Sequence, residues 1–157
     1  MSKKTNALRL LDAQKVQYEI VKYRYDAGDL SVEKIAEENG LQLERIFKTL
    51  VAKGDKNGVA IAVVPGHKNL DLKALARASG NKKMALAPVK DIQGLTGYIR
   101  GGCSPMGMKK DYPVFLDAAA LAYSLIYVNA GQRGMLVGLP PEALKEATKA
   151  EVTDIAE

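Results

Sequence analysis

Three consecutive stretches decide the fold: Arg45-Ile46-Phe47-Lys48-Thr49-Leu50-Val51-Ala52-Lys53, the polar segment Gly54-Asp55-Lys56-Asn57-Gly58, and Val59-Ala60-Ile61-Ala62-Val63-Val64. Two apolar runs rich in β-branched residues, split by a glycine-flanked turn, predict a β-hairpin with a five-residue loop. Alternation sets Ile46, Lys48 and Leu50 on one face of the first strand and Phe47, Thr49 and Val51 on the other. Both faces are then apolar except at Lys48 and Thr49, the pattern of a central strand covered on both sides.

Outward from the hairpin, the chain alternates short helices and short strands. Lys4 to Gln14 carries Ala7, Leu8, Leu10 and Leu11 near one helical stripe, with Thr5 as its N-cap, and Tyr18 to Tyr23 reads as a strand. Ser31 caps a helix that stops at Asn39-Gly40, and Asp71 to Ser79 forms another that stops at Gly80. Strands are expected at Met84–Pro88, Val114–Leu116, Ile126–Val128 and Arg133–Leu139, and a last helix begins at Pro141. With no repeat, linker or low-complexity stretch, residues 1–157 read as one compact α/β (mixed α+β) domain. Its sheet should be mixed, mostly antiparallel, and surrounded by short helices.

Composition excludes several kinds of chemistry. A chain of 157 residues supports one core, and its 47% hydrophobic and 26% charged content is ordinary for a soluble domain. No apolar run is long enough to span a membrane, and the start of the chain has no apolar signal region, so a cytoplasmic location is expected. Cys103 is the only cysteine, which precludes an internal disulfide. With His67 as the only histidine, a zinc site of nitrogen and sulfur ligands lacks donors, although a carboxylate-bound metal is not excluded by the counts. No phosphate-loop or dinucleotide fingerprint is present, and no cofactor is implied. His67 lies in Pro65-Gly66-His67-Lys68, which reads as an exposed turn, so catalysis here must work largely without histidine. The net charge of +5 is concentrated: from Lys68 to Lys110 nine basic residues face two acids, leaving −2 for the rest of the chain. Such a segment suits a polyanion, or else scatters as a solvated surface once folded.

Lys48 is the most informative position, because a cation among apolar neighbours is costly to bury unless paired. It reads either as a strand-end lysine reaching water or as a cation at the base of a cleft, set to bind phosphate or polarise a carbonyl. Gly101-Gly102-Cys103-Ser104-Pro105 is a compact turn whose glycines allow a ligand close to the backbone. Its N–H groups are candidates for an oxyanion hole, the alternative being a plain tight turn. Cys103 has no neighbouring base in sequence and reads as a small buried filler. Gly131-Gln132-Arg133-Gly134 is a second glycine-flanked turn with a single basic side chain.

In order along the chain stand Phe47-Lys48-Thr49-Leu50, Asp71-Leu72-Lys73, Thr96-Gly97-Tyr98, Gly101-Gly102-Cys103-Ser104-Pro105 with Gly107, and Arg133-Gly134. This ordered set resembles the YbaK/EbsC-type Cys-tRNA(Pro) deacylases, over nearly the whole chain up to Gly134. The resemblance implies a fold similar to the editing domain inserted in bacterial prolyl-tRNA synthetases. It also implies hydrolysis of the ester in Cys-tRNA(Pro), and in Cys-tRNA(Cys), with a prolyl-tRNA synthetase as a partner in a ternary complex. In that family the lysine matching Lys48 is essential and sits near the tRNA 3′ end. The substrate's own thiol attacks its ester carbonyl and releases a cyclic thiolactone, while the backbone at Gly101 and Gly102 receives the carbonyl oxygen.

By the same carry-over Tyr23, Thr49, Ser104, Asn129 and Arg133 are expected on the substrate side. Two positions depart from the family pattern: Asn129 stands where many members have Ser, and Leu136 where many have Asp. A residue near Leu30-Ser31 also differs from the aromatic that the family leads one to expect. The alternatives are a deacylase of the same superfamily acting on Ala-tRNA(Pro), and a tRNA- or synthetase-binding module without hydrolytic activity.

Overall fold

The computed structural model describes residues 4–157; Met1 to Lys3, at the start of the chain where no apolar signal region was read, lie outside them. In chain order the elements are α1 (Asn6–Ala13), β1 (Glu19–Lys22), α2 (Val32–Asn39), β2 (Phe47–Gly54), β3 (Gly58–Pro65), α3 (Leu72–Ser79) and β4 (Met84–Leu86). Then follow α4 (Val89–Thr96), β5 (Val114–Asp117), β6 (Ile126–Asn129), β7 (Met135–Leu139), α5 (Pro141–Thr148) and β8 (Glu151–Thr153). The expected N-caps Thr5 and Ser31 and the glycine stops are in place, and Asp71, expected as the first residue of its helix, caps it instead. The side chains of Thr5, Ser31 and Asp71 accept hydrogen bonds from the N–H groups of Leu8, Lys34 and Ala74, and Gly40 and Gly80 end their helices in the left-handed region.

The mixed α/β class holds, and the strands divide into two sheets. Five strands run in the order β4-β2-β3-β5-β8, antiparallel at β4-β2-β3 and parallel at β3-β5-β8; three antiparallel strands run β1-β7-β6. One core fills the space between the sheets, with Phe47, Val51, Ile61, Val63 and Leu116 meeting Ile126, Val128, Val137 and Leu139. On the other face of the larger sheet, Ala52, Ala62 and Val64 pack against Leu75 and Ala76 of α3. Burial on both faces is the reason the hairpin strands read as nearly continuous apolar runs.

The β2–β3 loop, β4, α4, β8 and β7 differ from the sequence-based expectation. The β2–β3 loop has three residues, Asp55 to Asn57, because Gly54 and Gly58 pair with each other in register. Asn81, itself buried, clasps this loop: its Oδ1 accepts from the N–H groups of Lys56 (2.9 Å) and Asn57 (2.7 Å). A Cβ on Gly54 would sit 2.2 Å from the Asn81 side chain, so only glycine fits there. The β4 strand stops at Leu86, and α4 follows Pro88, a helix whose β-branched residues and Gly94 give it little intrinsic signal. Strand β8 was also unanticipated. Its three residues hold through pairing with β5 and through buried Asp117, whose Oδ1 accepts from Ile155 and Ala156 N–H. Finally, the Arg133–Leu139 run becomes strand only at Met135, because Gly131 and Gly134 take positive φ in the preceding turn.

Asn81→Ala should lower stability by about 1–3 kcal/mol, since it leaves two loop N–H groups without their acceptor. Urea unfolding would show this as a lower midpoint; an unchanged midpoint would mean that water replaces the clasp.

Candidate active site

Phe47, Lys48, Thr49 and Leu50, four consecutive residues of β2, all line one cavity of about 490 Å³. Side chains alternate along a strand, so four in a row reach one cavity only if it lies against the strand's edge. The pairing shows why that edge is open. On the side away from β3, β4 pairs with β2 only from Ala52 to Gly54, and Ala87 N–H donates to Val51 O just before it. Below Val51 the edge turns toward β6, touching it at the isolated Ile46–Tyr127 bridge. The cavity occupies the gap where the larger sheet hands over to the smaller one.

Lys48 is half-buried at this edge, and none of the salt bridges among the described residues involves it. Beside it the Thr49 hydroxyl oxygen is buried without a hydrogen-bond partner. Buried hydroxyls are nearly always paired, so this orphan is an exception within a residue of the cavity wall.

The glycine turn forms the facing wall through Arg100, Gly101 and Cys103. Two side chains hold its carbonyls. Arg133 Nε donates to Arg100 O at 2.8 Å, and Asn129 Nδ2 donates to Gly101 O at 2.8 Å while its Oδ1 accepts from Gly131 N–H. A trans peptide points its N–H opposite to its C=O. Gly101 N–H is therefore directed away from Arg133, and it has no partner among the described residues. Gly102 N–H is spent on Ile99 O at 2.9 Å, closing the turn. The expectation of two loop donors thus reduces to Gly101. That residue has φ +83°, and a Cβ on it would lie 2.9 Å from Leu30 Cδ1, which explains the glycine.

The remaining candidates separate by position. Tyr23 lines the cavity almost fully buried; burial pushes its phenol pKa up, against the opposing pull of the Gly134 backbone and the Asn129 amide. Asn129 also reaches the cavity. Arg133 does not line it and acts instead as a brace for the turn. Ser104 is wholly buried outside the lining, its Oγ accepting from Met106 N–H, so its hydroxyl organises the backbone and is not presented to a substrate. Leu136 is in the wall, packed with Tyr23, Ile35 and Ile46, and makes apolar the position where a carboxylate was expected.

Of the outer wall, the segment from Gly28 to Glu33, the sequence reading pointed only to the position near Leu30-Ser31 and missed the rest. Its signal was present in Asp29 and Ser31. The Ser31 hydroxyl and, after it, the Ser31 N–H donated to Asp29 Oδ1 hold the Asp29 carboxyl below the usual range, and Ser31 caps α2. Asp29 and Glu33 are the acids among the described lining residues. A second cavity of about 510 Å³ lies between the Pro105–Val114 segment and the end of α5, and contains none of the candidate residues.

Residues 28–147 match the family model described as an aminoacyl-tRNA editing domain. The chain belongs to that family. This editing domain is 49% identical to an Enterococcus faecalis protein named "Putative Cys-tRNA(Pro)/Cys-tRNA(Cys) deacylase EbsC", over 97% of this chain and 93% of that protein. Among solved structures it is similar to hypothetical protein APE2540 (TM-score 0.87, 26% identity, 97% of this chain and 99% of that one). It is also similar to "a putative trans-editing enzyme for prolyl tRNA synthetase" (TM-score 0.82, 28% identity, 99% of both chains).

In this editing domain the two residues that most readily suggest a nucleophilic site are unsuited to one. His67 is exposed in the turn after β3 and is not in the cavity lining, although its neighbour Gly66 is. Cys103 is in the wall, but burial pushes its thiol up to about 11, and the Thr96 hydroxyl offsets this only in part. Its alkylation by iodoacetamide should keep rising about tenfold per pH unit between about pH 7 and 10, because the thiolate is the reacting form. A plateau above the ordinary thiol value of 9.0 would show that burial does not hold the proton.

Proposed function

We propose that this editing domain removes cysteine from Cys-tRNA(Pro), and from Cys-tRNA(Cys), acting in trans on the aminoacyl ester. The observation that carries the reading is the presence in the wall of one cavity of an unneutralised Lys48 and of Gly101, whose N–H has no partner among the described residues, while the Cys103 thiol in the same wall is held protonated by burial. A cation and a backbone donor suit a polyanionic ester whose carbonyl oxygen gains charge in the transition state. The likeness to the E. faecalis protein, whose name gives Cys-tRNA as substrate, supports the same choice.

The substrate supplies the nucleophile. Its thiol sulfur bonds to the ester carbonyl carbon, and the bond from that carbon to the ribose oxygen breaks. The thiol's proton ends on the ribose oxygen, and water then opens the cyclic thiolactone to cysteine. Lys48 anchors a phosphate of the tRNA 3′ end, Gly101 N–H receives the carbonyl oxygen, and Thr49 and Tyr23 contact the aminoacyl group. Asn129 and Arg133 keep the glycine turn in place. The whole chain works as one domain in the cytoplasm: β8, beyond the matched residues, pairs with β5 of the central sheet. No helix among the described residues is long and apolar enough to cross a membrane. The basic stretch from Lys68 to Lys110 faces the tRNA, and a prolyl-tRNA synthetase delivers it, as the likeness to a trans-editing protein for that synthetase suggests.

A second reading, tRNA binding without turnover, is favoured by one observation, the apolar Leu136 in the cavity wall. Incubation with labelled Cys-tRNA(Pro) separates the two: release of free cysteine supports the deacylase, and stable association without release supports the binding module.

A further inference from the structure

Tyr25 is the aromatic residue that the site as described leaves unused. It is 47% exposed, two residues beyond Tyr23, which lines the cavity almost fully buried. The two rings meet edge-on, with centroids 6.4 Å apart and planes at 70°. The Tyr25 ring lies against Gly134: a Cβ there would come within 3.2 Å of both its Cδ1 and Cε1. Gly134 follows Arg133, whose Nε is bound to Arg100 O and lies 3.2 Å from where a Gly101 Cβ would be. An exposed aromatic ring, a bare glycine and a braced guanidinium therefore lie in succession just outside the cavity lining, touching it at Tyr23 on one side and at Gly101 on the other. An aromatic residue of this size is ordinarily buried, and a half-exposed one seated on a glycine leaves ring surface open to a flat partner.

We infer that Tyr25, flanked by Arg133, is a stacking shelf for the terminal adenine of the tRNA 3′ end. This inference rests on the deacylase reading for the placement of the ester in the cavity. With the aminoacyl group inside, the ribose that carries it stands at the mouth, and the base attached to that ribose must lie on the rim. Stacking on an aromatic side chain suits any base because it uses the π-face, and arginine adds cation–π attraction. Tyr25 thereby positions the ester opposite Gly101 without touching the reacting atoms.

The test measures binding of two uncharged RNA hairpins, one ending in single-stranded C-C-A and the other lacking the final A, by fluorescence anisotropy. For the unmodified protein, loss of the adenosine should weaken binding about tenfold. In Tyr25→Ala the two RNAs should bind equally, and in Tyr25→Phe and Tyr25→Trp the tenfold discrimination should persist. Discrimination retained in Tyr25→Ala, lost in Tyr25→Trp, or missing from the unmodified protein overturns the shelf. Discrimination that follows this pattern in a protein releasing no cysteine from Cys-tRNA(Pro) would leave the shelf standing and remove the deacylase reading.

Discussion

Lys48→Ala should lower kcat/KM for Cys-tRNA(Pro) by about 10² or more while leaving the melting temperature unchanged. The second half of that expectation follows from the structure. Lys48 is half-buried and takes part in none of the salt bridges among the described residues, so its removal orphans no carboxylate. Its strand neighbours Phe47 and Val51 carry the core contacts, and these do not depend on the ammonium group. The first half follows from the cavity, where Lys48 lines the wall beside the unpartnered Thr49 hydroxyl. A cation that anchors phosphate should show its loss mainly in KM, and Lys48→Arg should recover part of it because the charge returns. A loss confined to kcat would place the ammonium on the carbonyl instead. Full activity in Lys48→Ala would remove this residue from the site.

The second large effect is selectivity for the thiol. If sulfur is the nucleophile, Cys-tRNA(Pro) should be deacylated at least about 10³-fold faster than Ala-tRNA(Pro) and Ser-tRNA, whatever tRNA body carries them. An intramolecular attack in favourable geometry contributes on the order of 7–11 kcal/mol, which a methyl group forgoes entirely. A serine hydroxyl forgoes most of it, being far less ionised than a thiol that is already a few per cent thiolate near neutral pH. The pH dependence should follow the substrate. Of the protein's own groups in the wall, Cys103 is pushed up to about 11 and the Tyr23 phenol is raised, so neither ionises in the neutral range. The rate should therefore climb with pH up to the substrate thiol's own value and then level. Preference for alanine, or a rate indifferent to pH, would sink the thiol-assisted route and point to a bound water as nucleophile.

The amount of the site legible in sequence depended on how local each signal was. Lys48 and Thr49 stood out because alternation alone makes polar residues conspicuous in a strand covered on both sides. Gly101 stood out because a positive φ selects glycine, and the structure has it at +83°. Ser104 shows the opposite case: a hydroxyl in a turn looks the same in sequence whether it faces a ligand or, as here, accepts from Met106 N–H inside the protein. Gly102 shows the same limit, since nothing local says that Ile99 O will take its N–H. Leu136 was legible as a departure, but only the packing against Tyr23, Ile35 and Ile46 shows that the place is filled and apolar.

By itself, the sequence determined the mixed α/β class, most of the helices and strands, the N-caps at Thr5 and Ser31 and the two-sided burial of the hairpin, because each follows from local patterning. Tertiary structure decided the rest. The division into two sheets, the open edge of β2, the bracing of the glycine turn by Asn129 and Arg133, and the seating of Tyr25 on Gly134 all join residues far apart in the chain. Such contacts arise only when separate elements are packed at atomic distance, where the partner taken by a single carbonyl or N–H decides which backbone groups are left unpaired.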